Sequence, residues 1–170
     1  MIGNQTGTGD LSFQALRWLR RAALSTALVA TQAFITTQAL AQFSMVPAPL
    51  LAGPPRESAA EIEKEYRIDA ARHIYAAYPM RVYRGKVPPL IYSVMVVETE
   101  IDATGQVLSV SVVRKPAADE VAPWVVAMIR RAAPFPPPAR MAGNKVSYTD
   151  IWLVDKSGLF QVDTLTEGQR

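Results

Sequence analysis

The chain of 170 residues contains no cysteine and one histidine, His73. Without cysteine it has neither disulfide bonds nor thiolate metal ligands, and a single histidine cannot form a multi-histidine metal site. We therefore expect no metal and no cofactor. The absence of cysteine also means that its usage says nothing about the redox compartment.

The chain lacks a strong excess of either charge, since its net charge is +3. In residues 1–41, Arg17, Arg20 and Arg21 stand against Asp10 and account for +2, which leaves +1 for the rest. Domains that bind nucleic acid usually carry a strongly basic face. The charge therefore argues against nucleic acid as a partner.

No uninterrupted apolar run is long enough to be an unambiguous membrane span. Basic residues precede an apolar stretch over residues 22–41, which ends in Ala39-Leu40-Ala41 and is diluted by Ser25, Thr26, Thr31, Gln32, Thr36, Thr37 and Gln38. This layout predicts a secretory signal peptide over residues 1–41, cleaved after Ala41. A spanning helix needs about 20 predominantly apolar residues. The alternative is an uncleaved membrane anchor, in which case segment 22–41 contacts the membrane.

Residues 42–57 contain four prolines and no hydrophobic periodicity, which predicts a Pro-rich linker. The compact domain is then expected over residues 58–170. Ser58 and Glu61 have the spacing of a capping box, which predicts a helix that carries His73 and ends before Pro79. We expect His73 to lie on the helix surface or against the core.

Residues 90–113 are rich in Val, Ile, Tyr and Thr and predict a β-hairpin. Its strands are β1 (residues 90–101) and β2 (residues 106–113), joined by a turn at residues 102–105 that ends in glycine. One face of β1 carries Met95, Val97, Thr99 and Ile101, and one face of β2 carries Leu108, Val110 and Val112. The alternation predicts a half-buried antiparallel sheet.

A second helix is predicted after the hairpin, because apolar residues recur at helical spacing at Val121, Trp124, Val125, Met128, Ile129 and Ala132. Residues 145–154 predict a strand β3, and residues 159–165 a possible fourth strand. The expected fold class is α+β. It has a small antiparallel sheet of order β2-β1-β3 with a helix packed on one face and an additional N-terminal helix.

In this order β3 lies at an edge, where its backbone can accept a partner strand. The predicted partner-binding residues are Ser147, Tyr148, Thr149, Asp150, Ile151, Trp152 and Leu153. The same edge could join two copies of the chain as a homodimer. If residues 159–165 pair with β3 instead, a partner must displace this tail or dock elsewhere.

Few residues suggest catalysis. Glu98 and Glu100 project from one face of β1 about 6–7 Å apart, a spacing that suits a carboxylate pair, although a solvated strand face explains them as well. No serine follows a nucleophile-elbow pattern, and no glycine-rich phosphate loop follows a strand. We expect no enzyme. The alternative is a small exported enzyme that uses Glu98, Glu100 or His73.

Several features together resemble the C-terminal domain of the TonB/TolA family: Tyr78-Pro79, Gly85, the hairpin with Asp102 and Gly105, Arg130-Arg131, and Pro134-Phe135-Pro136-Pro137-Pro138. The resemblance covers roughly residues 70–155. It implies a periplasmic domain that binds cell-envelope proteins such as outer-membrane transporters by strand addition.

This chain departs from a full TonB-like energy transducer in two ways. Such a transducer has a membrane helix bearing a histidine and a long Pro-rich spacer, whereas the apolar run here has no histidine and the linker is short. The expectation is a protein of the periplasm. The alternative is a single-pass inner-membrane protein that acts as an energy transducer for outer-membrane transport.

Overall fold

The computed structural model describes residues 43–168, so the predicted signal peptide lies outside the described residues. The described part contains the helices α1 (Glu63–Ala77) and α2 (Val121–Arg131) and the strands β1 (Ser93–Ile101), β2 (Val107–Arg114), β3 (Val146–Val154) and β4 (Phe160–Val162). The strands form one antiparallel sheet of order β2-β1-β3-β4. The predicted α+β class, the order of the first three strands and the fourth strand are confirmed.

Strand β1 is the centre of the sheet. It pairs with β3 over its full length, from Ser93 opposite Val154 to Ile101 opposite Val146, and with β2 on its other side. The face that carries Met95, Val97, Thr99 and Ile101 is buried against the helices, and each of these residues is at most 1% exposed. The period-2 pattern of β1 therefore separated its two faces correctly, and the predicted half-buried sheet is confirmed.

Strand β2 departs from simple alternation at two bulges. The pairing with β1 shifts register next to Leu108 and again next to Val113, so that neither residue has a partner on β1. These two side chains are 52% and 62% exposed. The prediction that Leu108 lies on the apolar face is therefore wrong, and Val107 lies against the core in its place. A bulge depends on the pairing of two strands, and periodicity within one strand does not reveal it.

Helix α1 begins at Glu63, not at Ser58. The Ser58 hydroxyl donates to Asp69 Oδ2 at 2.7 Å and accepts from the backbone N–H of Ala60 at 3.1 Å. The predicted capping box is therefore wrong, because the serine fixes the approach of the chain to the helix instead of capping its first turn. The helix ends at Ala77, before Pro79 as expected.

Helix α2 buries the predicted stripe completely: Val121, Trp124, Val125, Met128, Ile129 and Ala132 are each at most 2% exposed. Helix α1 packs along β3 and α2 along β2, on the same face of the sheet as the buried side chains of β1. The opposite face carries polar side chains such as Glu98, Ser111 and Ser147, which are exposed.

The segment 43–55, which lies within the predicted linker, contacts both helices. Phe43 is 7% exposed and meets the ring of Trp124 edge-on at 5.2 Å. The Arg131 guanidinium donates to the Val46 carbonyl at 2.7 Å, and the Leu50 N–H donates to the Ala77 carbonyl at 2.8 Å. This segment therefore contributes an aromatic ring to the core.

The turn between β1 and β2 requires glycine at position 105. Gly105 has φ +83°, a left-handed conformation, and its carbonyl accepts a hydrogen bond from the N–H of Phe135 at 2.7 Å. A Cβ at this position would lie 2.0 Å from the Phe135 carbonyl oxygen. Both atoms in this contact belong to the main chain or are fixed to it, so a side-chain rotation cannot relieve it.

We expect Gly105→Ala to lower the free energy of unfolding by about 3 kcal/mol or more, because backbone strain and steric overlap add. Gly143→Ala is the matched control, since Gly143 has φ +73° but nothing within 4 Å of its added Cβ. The control should lose only about 1–2 kcal/mol, the usual cost of a left-handed residue. Urea denaturation measures both, and equal losses would contradict the close approach to Phe135.

Candidate functional site

The predicted binding residues of β3 lie inside the sheet. β3 pairs with β1 throughout, and its residues Trp152 and Leu153 also pair with β4. Tyr148, Asp150 and Trp152 face the helices and are buried, whereas Ser147 is exposed and Thr149, Ile151 and Leu153 are half-buried on the opposite face. The fourth strand thus occupies part of the edge that a partner was expected to use.

Strand β4 is closed on its outer side as well. The Phe160 N–H donates to the Arg81 carbonyl, and the Tyr83 N–H donates to the Phe160 carbonyl, both at 2.8 Å. The Phe160 ring lies 4.8 Å from that of Trp152, and all three residues of β4 are buried. β4 is therefore a strand of the core, held between β3 and the loop after α1.

The middle of the β3 edge is engaged by side chains. The Arg67 guanidinium on α1 donates to the Thr149 carbonyl at 3.3 Å. The Asp150 carboxylate accepts from the N–H of Ile151 at 2.8 Å and from the Thr164 hydroxyl at 2.7 Å. These contacts use main-chain groups that an added strand would otherwise bind.

Burial raises the pKa of the Asp150 carboxyl, and the hydrogen bonds from Thr164 and Ile151 and the charge of Arg67 oppose this rise. Burial also raises the pKa of Tyr148, whose ring lies 5.7 Å from that of Tyr66. The cavity beside Asp150 measures about 10 Å³, which is room for about one water molecule. This polar cluster can hold α1, β3 and the tail together, but it has no space for a substrate.

Glu98 and Glu100 lie on the face of the sheet opposite the helices. Glu98 accepts a hydrogen bond from the Ser147 hydroxyl at 2.9 Å. Glu100 lies 3.8 Å from the Lys145 ammonium and 3.5 Å from the Ser109 hydroxyl. Both carboxylates thus link β1 to its neighbouring strands.

His73 is 7% exposed and lies between the two helices. Its Nε2 is 2.7 Å from the Ala132 carbonyl oxygen at the end of α2, and its ring lies 4.7 Å from that of Phe135. A neutral imidazole that carries its proton on Nε2 donates to this carbonyl. His73 therefore ties α1 to α2, in agreement with the expectation that it lies against the core.

Burial lowers the pKa of His73 below its ordinary value of 6.5, and the hydrogen bond to Ala132 opposes this shift. A depressed folded-state pKa contributes stability that is present above about pH 6.5 and is lost as the pH falls through the folded-state pKa. We therefore expect stability to decline from pH 7.5 toward acid. Because the chain has one histidine, a single imidazole NMR signal reports this pKa in the folded and the urea-unfolded protein.

His73→Leu is the control for this prediction, since it removes the titrating group. Its unfolding free energy should be lower than that of the wild type, but it should lose the part of the decline below about pH 7.5 that His73 causes. A folded-state pKa equal to or above that of the unfolded chain would contradict the buried position.

The open edge of the sheet is the outer side of β2, whereas the sequence predicted binding at β3. Within residues 43–168 no strand pairs with this side over Val107–Arg114. Every second residue of an edge strand directs its N–H and C=O away from the sheet. The exposed apolar side chains of Leu108 and Val113 flank these groups. The only sequence signal was two apolar residues in a strand that otherwise alternates.

The described residues show neither a membrane span nor a metal centre. No helix in residues 43–168 has the length and hydropathy needed to cross a membrane. In the same range, no group of three His, Asp or Glu side chains is arranged to hold a metal ion. Comparison with models of known protein families, with curated proteins and with solved structures finds no match.

Proposed function

We propose that this protein is a TonB/TolA-like interaction domain of the periplasm that binds an extended segment of a cell-envelope protein by strand addition at the outer edge of β2. The observation that carries this proposal is the open edge over Val107–Arg114, eight residues long, in a sheet whose opposite edge is largely closed. The resemblance to the TonB/TolA family supports the same class of function. Outer-membrane transport proteins are the candidate partners that the resemblance implies.

Main-chain hydrogen bonds supply the affinity in strand addition, and alternate side chains supply the choice of partner. Each such bond contributes about 0.5–1.5 kcal/mol net, so a segment that pairs with most of β2 gains several kcal/mol. Leu108 and Val113 add apolar surface beside the strand. Bulges discourage pairing with arbitrary strands, so the two bulges of β2 favour a partner whose backbone fits this twist.

Charge at the end of β2 favours an acidic partner residue. Arg114 and Lys115 are exposed and form no ion pair with the residues that the structure describes. A partner strand that runs antiparallel to β2 begins opposite this basic end. An acidic residue near the start of the bound segment would therefore speed association and set the register.

Site-specific photo-crosslinking in the native host tests this surface. A benzoyl-phenylalanine at position 108 should crosslink to an envelope protein, whereas the same residue at position 62 should not. Position 62 is the matched control for position 108, because Ile62 and Leu108 have nearly equal exposed fractions of 53% and 52%. Equal crosslinking from both positions, or none from position 108, would contradict the proposal, and a product of twice the chain mass would show pairing with a second copy instead.

A charged side chain on the edge gives a second test. Val113→Lys places a cation on the outer bulge and should abolish the crosslink from position 108, because lysine on an edge strand hinders pairing. Ser147→Lys places the same charge at the exposed start of β3, the edge predicted first. If Ser147→Lys abolishes the crosslink and Val113→Lys does not, the partner binds to β3.

The proposed location has a separate test. Mass measurement of the protein from its native host should give a mature chain that begins at Gln42. A full-length chain in the inner-membrane fraction would instead support a membrane-anchored energy transducer.

A further inference from the structure

A cavity of about 330 Å³ lies between the end of α1, the loop after it and the tail after β4. Its size is at the lower end of the range for ligand sites in proteins. The lining is part apolar and part polar, with Tyr75, Pro79, Val82 and Leu165 on the one hand and Tyr83, Arg84, Gln161 and Glu167 on the other.

Two of the polar lining residues are already engaged. The Gln161 side-chain N–H groups donate to the carbonyls of Tyr83 and Gly85 at 2.8 and 2.7 Å, and its oxygen accepts from the Thr166 hydroxyl at 2.8 Å. One oxygen of Glu167 accepts from the Gly85 N–H at 3.2 Å. These bonds shape the cavity and occupy the Gln161 amide, whereas the second oxygen of Glu167 accepts no hydrogen bond within residues 43–168.

Three donors of the lining residues have no acceptor within the described part of the chain. The Tyr75 hydroxyl accepts from the Val162 N–H at 3.1 Å, and its own hydrogen meets no acceptor in residues 43–168. In the same range the Tyr83 hydroxyl and the Arg84 guanidinium form no hydrogen bond or ion pair. These donors, one of which is a guanidinium, suit an anionic oxygen ligand.

The charges around the cavity also favour an anionic ligand. The loop at residues 81–86 carries Arg81, Arg84 and Lys86, none of which forms an ion pair within the described part of the chain. Glu167 is the one carboxylate among the lining residues. The local balance of three cations against one carboxylate therefore favours a negative group at the mouth, beside the apolar side chains of Val82 and Leu165.

We propose that this cavity binds the C-terminal residue of a peptide. The terminal carboxylate lies against the Arg84 guanidinium, which suits two parallel hydrogen bonds, and the tyrosine hydroxyls are further donors. The last side chain, a large apolar one, packs among Tyr75, Val82 and Leu165. The cavity adjoins β4, at the other end of the strand order from β2, so this site is independent of the proposed strand addition.

The test uses the full chain and two probes, N-acetyl-phenylalanine and its C-terminal amide, followed by NMR titration. The acid should bind saturably and shift the signals of Tyr75, Tyr83 and Leu165, and the amide should bind at least about tenfold more weakly, because a charge-assisted hydrogen bond is lost. Equal binding of acid and amide would overturn the carboxylate site. The absence of saturable binding up to a probe concentration of about 10 mM would also overturn it, because even a weak site with a Kd of about 1 mM would be nearly saturated there.

Arg84→Gln is the diagnostic variant, since Arg84 is exposed and its replacement is expected to leave the fold intact. It should weaken the acid about tenfold and leave the amide unchanged. Lys115→Gln removes the same charge at the β2 edge and should change neither. A short peptide that ends in phenylalanine with a free carboxylate should bind at least as tightly as the single residue. Binding of the single residue without the peptide would overturn a peptide C-terminus as the ligand.

Discussion

Deleting residues 156–170 is expected to unfold the domain instead of uncovering a binding edge. The deletion removes β4, whose residues Phe160, Gln161 and Val162 are each at most 2% exposed. It also removes the main-chain bonds that fix the loop at residues 81–83 and the hydroxyl that binds Asp150. The loss of one core aromatic alone costs about 3–5 kcal/mol, and a typical domain has only about 5–15 kcal/mol in total. The truncated chain should therefore show no cooperative thermal transition.

Phe160→Ala separates the role of the core from that of the whole tail. It should lower the free energy of unfolding by about 3–5 kcal/mol, since the ring packs on Trp152 and Tyr75. Lys156→Ala, in the exposed turn before β4, should change it by less than about 0.5 kcal/mol. A truncated protein that stays folded and binds peptides more tightly would show that the tail is a displaceable cover of β3.

Local periodicity was sufficient for the elements that repeat one pattern without interruption. The alternation in β1 separated its two faces, and the helical stripe of α2 gave its buried face, because each pattern reflects which side of a single element meets the core. The fourth strand was also foreseeable, since a turn and an alternating segment follow β3 directly. These predictions concern neighbours in the chain.

The features that decide the candidate site depend on contacts between distant parts of the chain. The outer side of β4 is closed by residues 81–83, which precede the hairpin and read only as a loop. Arg67 reaches the β3 edge from α1, and no sequence spacing marks this contact. The open edge of β2 is the one that no strand in residues 43–168 pairs with. A single sequence shows which strands exist but not which edges other segments cover.

The cavity beside Arg84 was invisible in the sequence for the same reason. Its walls come from α1, the following loop and the tail, and the decisive property is which donors remain unused after folding. Gln161 illustrates the point, because a glutamine in a short strand reads as solvent-facing, yet it is 2% exposed and shapes the cavity wall.

Trp124→Ala is expected to lower the free energy of unfolding by about 3–5 kcal/mol, the usual cost of truncating a core aromatic. Trp124 is 1% exposed, and its indole N–H donates to the Met45 carbonyl at 3.3 Å. Leu90→Ala is the control, since Leu90 is 93% exposed and its loss should cost less than about 0.5 kcal/mol.

The Trp124 variant also tests whether the segment 43–55, which packs on the indole ring, belongs to the core. Phe43 meets the indole edge-on at 5.2 Å, so Phe43→Ala should be destabilising by itself. In a double-mutant cycle with Trp124→Ala, the two should couple by about 0.5–1.5 kcal/mol, the range for aromatic pairs. If the two losses of unfolding free energy were strictly additive, Phe43 would not contact the indole ring in solution. A thermal midpoint of Trp124→Ala within about 2 °C of the wild type would contradict the packing of α2 itself, because a loss of 1 kcal/mol already shifts the midpoint by more than this in a domain of this size.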